Sequence, residues 1–404
     1  MRRKPQQSDN PSVGFKKSTL DTSGHLGLVL SGGGSRAAYQ AGALRALIPF
    51  LGEKNPFSVI IGSSIGAING LVLGAAIKEG LPQSVEVLSD LWRERTWRNT
   101  FGGSPTASFF RAIKMATMQY FAPGPSATNL AIFDPSPLMK RIDEIIDLYG
   151  GLAPHVRDPK LQSVAVMTTV EGFARRPLLF ASMHHPLSSE VLEGASFEVC
   201  YREQLHAKHG FASAALPSVL PPVEIDTDDG TLRLVDGGIS INVPVDPAVR
   251  MGAEKVIVID ISGRNWWLDR SGEPHDTRPS WEVESAHSTY CMRPPQTFTI
   301  RPQVPLGPLL KQCVCRSSTR FIKSVGPIWP AFTLLKNKVG EDVAYEAMTY
   351  VALDEEYILS LMELGFKETK AFLKNKTKID FVLNDSDATN PAGTLPGSLE
   401  TVRR

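Results

Sequence analysis

Two serines stand side by side in VIIGSSIGAING, residues 59–70, where an apolar run gives way to a small-residue helical pattern. A serine hydroxyl becomes an effective nucleophile only when a base takes its proton. No histidine lies within thirty residues of the pair, so any base must come from elsewhere in the chain. The pattern G-x-S-x-G has one register here, with Gly62 two before Ser64 and Gly66 two after it; Ser63 does not fit. A nucleophile on a sharp strand-to-helix turn projects its hydroxyl above the sheet edge, and the flanking glycines avoid the clashes that side chains would create. The start of the following helix favours negative charge, and the N–H of Ile65 could donate to an oxyanion.

A second turn could do related work. LVLSGGGSRAAYQAGALRAL, residues 28–47, places Gly32, Gly33 and Gly34 between a strand and a helix, so that backbone N–H groups face any negative oxygen. Gly32, Gly34 and Ala37 also satisfy the dinucleotide pattern G-x-G-x-x-G/A. That reading requires an acid at the end of the second strand. Glu53 has roughly the right spacing but precedes the second strand, so nucleotide binding stays a minority alternative beside a purely structural turn. Paired with Ser64, the same loop becomes an oxyanion hole, each of whose donors can lower a barrier by about 3 kcal/mol.

For the base, His275 and His287 fall in a polar stretch with no compact frame, His184 and His185 follow a strand, and His206 and His209 lie in a helical pattern. Surface or packing roles suit all six. Asp236, in LRLVDGGISINVPV, closes an apolar strand before Gly237 and Gly238, which leave its approach open. Burial would raise its pKa, and a hydrogen bond to a serine would position it for proton transfer. A turn aspartate that caps local N–H groups is the competing reading.

The elements that must hold these residues read as alternating strands and helices. Strands are expected at 25–30, 57–61, 162–170, 176–182, 231–235 and 255–261, with helices at 37–51 and 65–80. That alternation argues an α/β layered fold with a mostly parallel sheet. The 404 residues suit one large decorated domain. With 43 lysines and arginines against 42 acids, overall charge gives no argument for nucleic acid. Four scattered cysteines (Cys200, Cys291, Cys313 and Cys315) fit neither a disulfide scaffold nor a zinc site and suggest a reducing, cytoplasmic setting. The basic N-terminus lacks the apolar core of a signal peptide, and no stretch is apolar enough to span a bilayer.

Taken in order, four blocks resemble the patatin-like phospholipases, lipid acyl hydrolases with a Ser-Asp dyad: GLVLSGGGSRAAYQAGALRAL, IIGSSIGAING, FASAALPSVLPPVEI and LVDGGISINVPVDPAVRMGAEKVIVIDIS. The resemblance covers about residues 25–262 and implies a three-layer α/β/α fold. It implies nucleophile Ser64 and base Asp236, an oxyanion loop that includes Gly32, Gly33, Gly34 and, at its basic position, Arg36, and hydrolysis of phospholipids or lysophospholipids without metal or cofactor. Ala37 stands where the family often has another glycine.

Around that domain the expected organisation is a flexible tail at 1–24, an insertion at about 92–135, a surface insertion at 263–305, a mainly helical appendage at 306–383 and a disordered tail at 384–404. Stretches 109–121 and 309–332 mix apolar and basic residues and could dock on a membrane surface, or could equally be ordinary amphipathic helices. A catalytically silent lipid- or nucleotide-binding module on the same fold, and a short-chain esterase or thioesterase, are the alternatives.

Overall fold

The structure, a computed structural model, describes residues 25–102, 131–153, 158–172, 174–228, 230–262, 296–315, 321–322, 324, 326, 329–374 and 382–383. The two expected tails, residues 103–130 and 263–295 of the two insertions, and the first proposed docking stretch lie outside these residues.

The strands in chain order are β1 (Leu26–Leu30), β2 (Val59–Ser63), β3 (Ser163–Val170), β4 (Pro177–Met183), β5 (Glu198–Tyr201), β6 (Val223–Thr227), β7 (Gly230–Val235), β8 (Lys255–Ile259), β9 (Gln296–Ile300) and β10 (Val382–Leu383). The helices that matter for the site are α1 (Ala38–Leu51), α2 (Ile65–Ala76), α3 (Leu81–Glu94), α4 (Trp97–Thr100), α5 (Ala207–Ala214), α6 (Glu341–Met348) and α7 (Glu355–Lys374).

Every residue of β1 and β2 is buried. Successive side chains point to opposite faces: Leu28, Leu30 and Ile60 enter a large core under one helical layer, while Val29, Val59 and Ile61 enter a second core on the other side. A strand covered on both faces is mostly apolar, which is why LGLVL and VII read as apolar runs. The sheet order is β10-β9-β8-β1-β2-β3-β4-β5. From β9 to β3 all neighbours are parallel; β4 is antiparallel to β3, and β10 to β9. The protein is thus an α/β layered fold with a mostly parallel central sheet.

The β6–β7 hairpin attaches by its second strand to the last two residues of β3, pairing Thr169 with Val235 and Val170 with Leu234. This contact positions the site, because it carries the chain after Val235 to the carboxyl edge of β3. β1, β2 and β3 are adjacent and parallel, so the turns that follow them share the same edge.

Three details differ from the sequence reading. The second strand begins at Val59 rather than Phe57, because the Asn55 side chain accepts from the Phe57 N–H at 2.8 Å and donates to the Phe57 carbonyl, which holds residues 55–57 in a turn. The stretch read as a surface insertion ends in β9, which pairs in parallel with β8 and has Phe298 and Ile300 in the core. The C-terminal helices are a core layer rather than an appendage. α7 lies along α1 so closely that a Cβ on Gly42 would sit 1.8 Å from the Met362 carbonyl oxygen, and one on Gly365 would sit 2.2 Å from that of Tyr39. No helix among the described residues is long and apolar enough to cross a membrane.

Candidate active site

The turn after β2 places Ser64 at φ 53°, ψ −132°, in the left-handed region that a side chain rarely adopts. Its glycine neighbours are required by close approach. A Cβ on Gly62 would lie 2.3 Å from the Gly66 carbonyl oxygen, and one on Gly66 would lie 2.3 Å from that of Leu30. The bend is also tied from below: the Ser64 N–H donates to Ser213 Oγ at 2.8 Å, and that hydroxyl donates to the Met167 carbonyl. A strained residue persists only where its surroundings over-determine it, and here they do.

Asp236 follows β7 and arrives opposite. The Ser64 hydroxyl donates to Asp236 Oδ2 at 2.6 Å, while Oδ1 accepts the Gly238 N–H at 2.7 Å. The aspartate's backbone is fixed by its own N–H to the Ala215 carbonyl and by Thr169 Oγ1, which donates to the Asp236 carbonyl at 2.8 Å. Only 6 % of Asp236 is exposed. Burial pushes its pKa from 3.8 up to about 6, opposed by the hydrogen bonds from Ser64 and Gly238. A carboxylate with that value is ionised at neutral pH and is a better base than an exposed one.

The glycine loop closes the other side. A Cβ on Gly32 would lie 2.7 Å from Ser64 Cβ, which measures how tightly the loop abuts the serine. The Gly32 N–H already donates to the Asn242 carbonyl at 3.3 Å, and the Ser35 N–H donates to that of Tyr350 at 2.7 Å. Between them, the N–H groups of Gly33 and Gly34 have no protein acceptor among the described residues. Ile65 opens α2, and the first N–H of a helix has no intrahelical partner.

Arg36 does not join this group. It is fully buried, and its guanidinium donates to Glu346 Oε1 at 2.9 Å, to the Glu346 carbonyl, to Thr349 Oγ1 and to the Ser262 carbonyl, with the Tyr350 ring 3.9 Å from its central carbon. Its side chain locks the glycine loop to α6 and is absent from the wall of the cleft. Ser63 is fully buried, with no hydrogen-bond partner for its hydroxyl among the described residues. Gly237 and Gly238 form the tight turn that follows Asp236.

A cleft of about 300 Å³ opens over Ser64 and Asp236. Its walls are mostly apolar: Ile68, Leu138, Phe211, Leu216, Val219 and Leu220, the aromatic group Trp97, Phe101 and Phe133, and Tyr350, Val351 and Leu353 from the segment between α6 and α7. The aromatic rings lie 4.7–5.2 Å apart and come from the two ends of the insertion expected at about 92–135. None of His184, His185, His206 or His209 lines the cleft. His209 is buried, its Nδ1 accepts the His206 N–H, and burial lowers its pKa to about 4. His275 and His287 lie outside the described residues. Glu53, the acid of the nucleotide alternative, is exposed in the turn before β2.

In the second docking stretch, Lys311 is paired with Glu341 at 3.2 Å, and Arg316, Arg320 and Lys323 lie outside the described residues. Ser213, Thr169 and Asn242 were not identified from the sequence. Ser213 sits in the quoted block FASAALPSV and Asn242 in ISINVPV, but neither position carries a local signal that separates it from a neighbouring polar residue.

Comparison with known proteins agrees with the four sequence blocks. Patatin-like phospholipase domain-containing protein 7 of Rattus norvegicus is 26% identical over 260 residues, which cover 61% of this chain and 15% of that protein; the chain therefore spans a small part of this relative. Among solved structures, VipD from Legionella pneumophila aligns with 14% identity and TM-score 0.36 over 87% of this chain and 67% of its own. Human GIVD cytosolic phospholipase A2, bound to methyl gamma-linolenyl fluorophosphonate, aligns with 14% identity and TM-score 0.38 over 87% and 58%. Scores this low say nothing about what this chain does. The family model for patatin-like phospholipases, however, matches residues 28–249, more than half of the 404, and the chain belongs to the patatin-like phospholipase family.

Proposed function

We propose that the protein is a serine lipid acyl hydrolase that cleaves fatty acyl esters of phospholipids or lysophospholipids with Ser64 as nucleophile and Asp236 as base. The observation that carries this reading is the 2.6 Å hydrogen bond from Ser64 Oγ to Asp236 Oδ2, at a strained elbow on the floor of an apolar cleft. Asp236 takes the proton as Ser64 attacks the ester carbonyl, and the N–H groups of Gly33 and Gly34 receive the developing oxyanion, with Ile65 as a further donor. Collapse of the tetrahedral intermediate expels the alcohol, which takes the proton from Asp236. Water, deprotonated by the same carboxylate, attacks the acyl ester on Ser64; the acyl–Oγ bond breaks, Ser64 Oγ regains the proton from Asp236, and the fatty acid leaves.

The apolar wall favours a long acyl chain over the short-chain alternative, because each buried methylene adds about 0.8 kcal/mol. Peripheral contact with a lipid surface belongs to the same proposal: Leu216 lines the cleft and is 44% exposed, so an apolar rim faces outward.

The test is covalent labelling by a fluorophosphonate probe, with turnover compared across phospholipids, lysophospholipids, monoacylglycerols and p-nitrophenyl esters of graded chain length. Wild type and Ser63→Ala should label and Ser64→Ala should not. Labelling that persists in Ser64→Ala removes the assignment, and absence of both labelling and fatty acid release in wild type points to a silent binding module.

A further inference from the structure

The described part of the chain holds three arginines that are nine-tenths buried or more, and they are not alike. Arg36 has a carboxylate and several oxygen acceptors, and Arg250 has Asp246 at 2.9 Å together with the carbonyls of Val191 and Glu193. Arg95 is 8% exposed, makes no ion pair among the described residues, and has an Nε with no acceptor. Among the described residues its one close electrostatic contact is the Trp92 ring, 4.3 Å from the guanidinium carbon. Burial lowers its pKa to about 9, which still leaves a cation at neutral pH. A buried charge without a counter-charge is strongly destabilising, and proteins normally supply the partner, as this one does for the other two.

Arg95 sits at the junction of α3 and α4 and lines the cleft above Ser64. Thr100, the last residue of α4, lines the same cleft, and its buried hydroxyl also has no partner. Among the residues that line the cleft, Arg95 is the sole cation, Asp236 the sole anion, and most of the rest are apolar. A guanidinium stacked on an indole keeps its edge free for two parallel N–H bonds, the geometry that phosphate oxygens accept, and a threonine hydroxyl can add a third.

We propose that Arg95 and Thr100 form an anion subsite within the cleft that receives the phosphate of the substrate, so that the enzyme selects phosphate-bearing acyl esters over neutral acylglycerols. This rests on the reading of the cleft as a lipid site. The phosphate displaces no ion pair when it binds, and the cation it meets is already desolvated, so discrimination is paid for in the fold rather than at binding.

The test uses the full chain and ligands that are not substrates: decyl phosphate, decanoate and decanol, titrated by calorimetry below their aggregation concentrations. A hydrogen-bonded charge contact of this kind corresponds to about 10–100-fold in affinity. Wild type should bind decyl phosphate at least about tenfold more tightly than decanol. Arg95→Met should erase that preference and leave decanol binding unchanged, Arg95→Lys should keep part of it, and Thr100→Val should lower decyl phosphate binding by about 3–10-fold. If Arg95→Met fails to fold, the lysine and valine variants decide. An intact preference in Arg95→Met, or in both of the milder variants, overturns the subsite, as does tighter binding of decanoate than of decyl phosphate. Turnover separates this proposal from the one it rests on. Arg95-dependent phosphate binding without ester hydrolysis sinks the hydrolase and leaves the subsite. Equal kcat/KM for lysophospholipid and monoacylglycerol, unchanged in Arg95→Met, sinks the subsite and leaves the hydrolase.

Discussion

Replacing Asp236 by asparagine should cut turnover by orders of magnitude and yet stabilise the fold, and the size of the second effect follows from burial. The folded protein holds the carboxyl at a pKa of about 6 against 3.8 for a free side chain, so the protonated form is favoured on folding. Stability from this group is therefore fully present below pH 3.8 and is lost as the pH rises through 6. A shift of that size corresponds to about 3 kcal/mol at pH 8, taken as an upper bound. Asparagine has no charge to desolvate. Its amide oxygen can accept the Gly238 N–H, and its NH₂ can donate to Ser64 Oγ, so both hydrogen bonds of the aspartate survive in altered form. The assay is urea denaturation of wild type and Asp236→Asn across pH 4 to 8. The variant should gain up to about 3 kcal/mol over wild type at pH 8, and the gain should shrink toward zero near pH 4. Other titrating groups cancel in the difference. A gain that does not vary with pH, or a variant less stable than wild type at pH 8, refutes the argument that burial strains the carboxylate. In the same samples turnover should fall by about 10²–10⁴-fold, the usual contribution of a general base.

The acidic limb of kcat/KM should have its midpoint near pH 6 with unit slope, because only about a tenth of Asp236 is ionised at pH 5 and about nine tenths at pH 7; a flat profile from 5 to 7 speaks against this base. Ser213→Ala leaves the Ser64 N–H without its acceptor and should cost about 1–3 kcal/mol in thermal or urea unfolding while lowering kcat. Glu346→Ala strands the Arg36 guanidinium and should cost about 3–5 kcal/mol, measured the same way, although Glu346 does not line the cleft.

The turns of the candidate site were legible because their reasons are local. A glycine on each side of Ser64, a glycine run after a strand and an aspartate before two glycines are all demanded by backbone within a few residues. The strands β1, β2, β3 and β8 were legible because burial on both faces selects mostly apolar residues, as in LVL, VII, VAVM and VIVI. The partners were not. Arg36 finds Glu346 some 310 positions away, and Ser213 finds Ser64 across 149, with no periodicity that links either pair. The family resemblance therefore placed Arg36 with the oxyanion donors, when the partners of its side chain are on and just after α6. Arg95 was invisible for the opposite reason, since an arginine in WRERTWRNT reads as a solvated charge until the fold buries it.

The bond between Arg36 and Glu346 also bears on how this chain can change over time. The family match ends at residue 249, but the glycine loop is finished by a glutamate, a threonine and a tyrosine from beyond residue 340. A fragment cut at the end of the match would keep the glycine loop, Ser64 and Asp236 and lose the roof over Gly34 and every side-chain and carbonyl acceptor of the buried Arg36 guanidinium. Positions 36, 346 and 350 should accordingly drift together or not at all among relatives that keep these helices, and a graft of the motif-bearing half onto another scaffold would have to carry residues 341–374 with it.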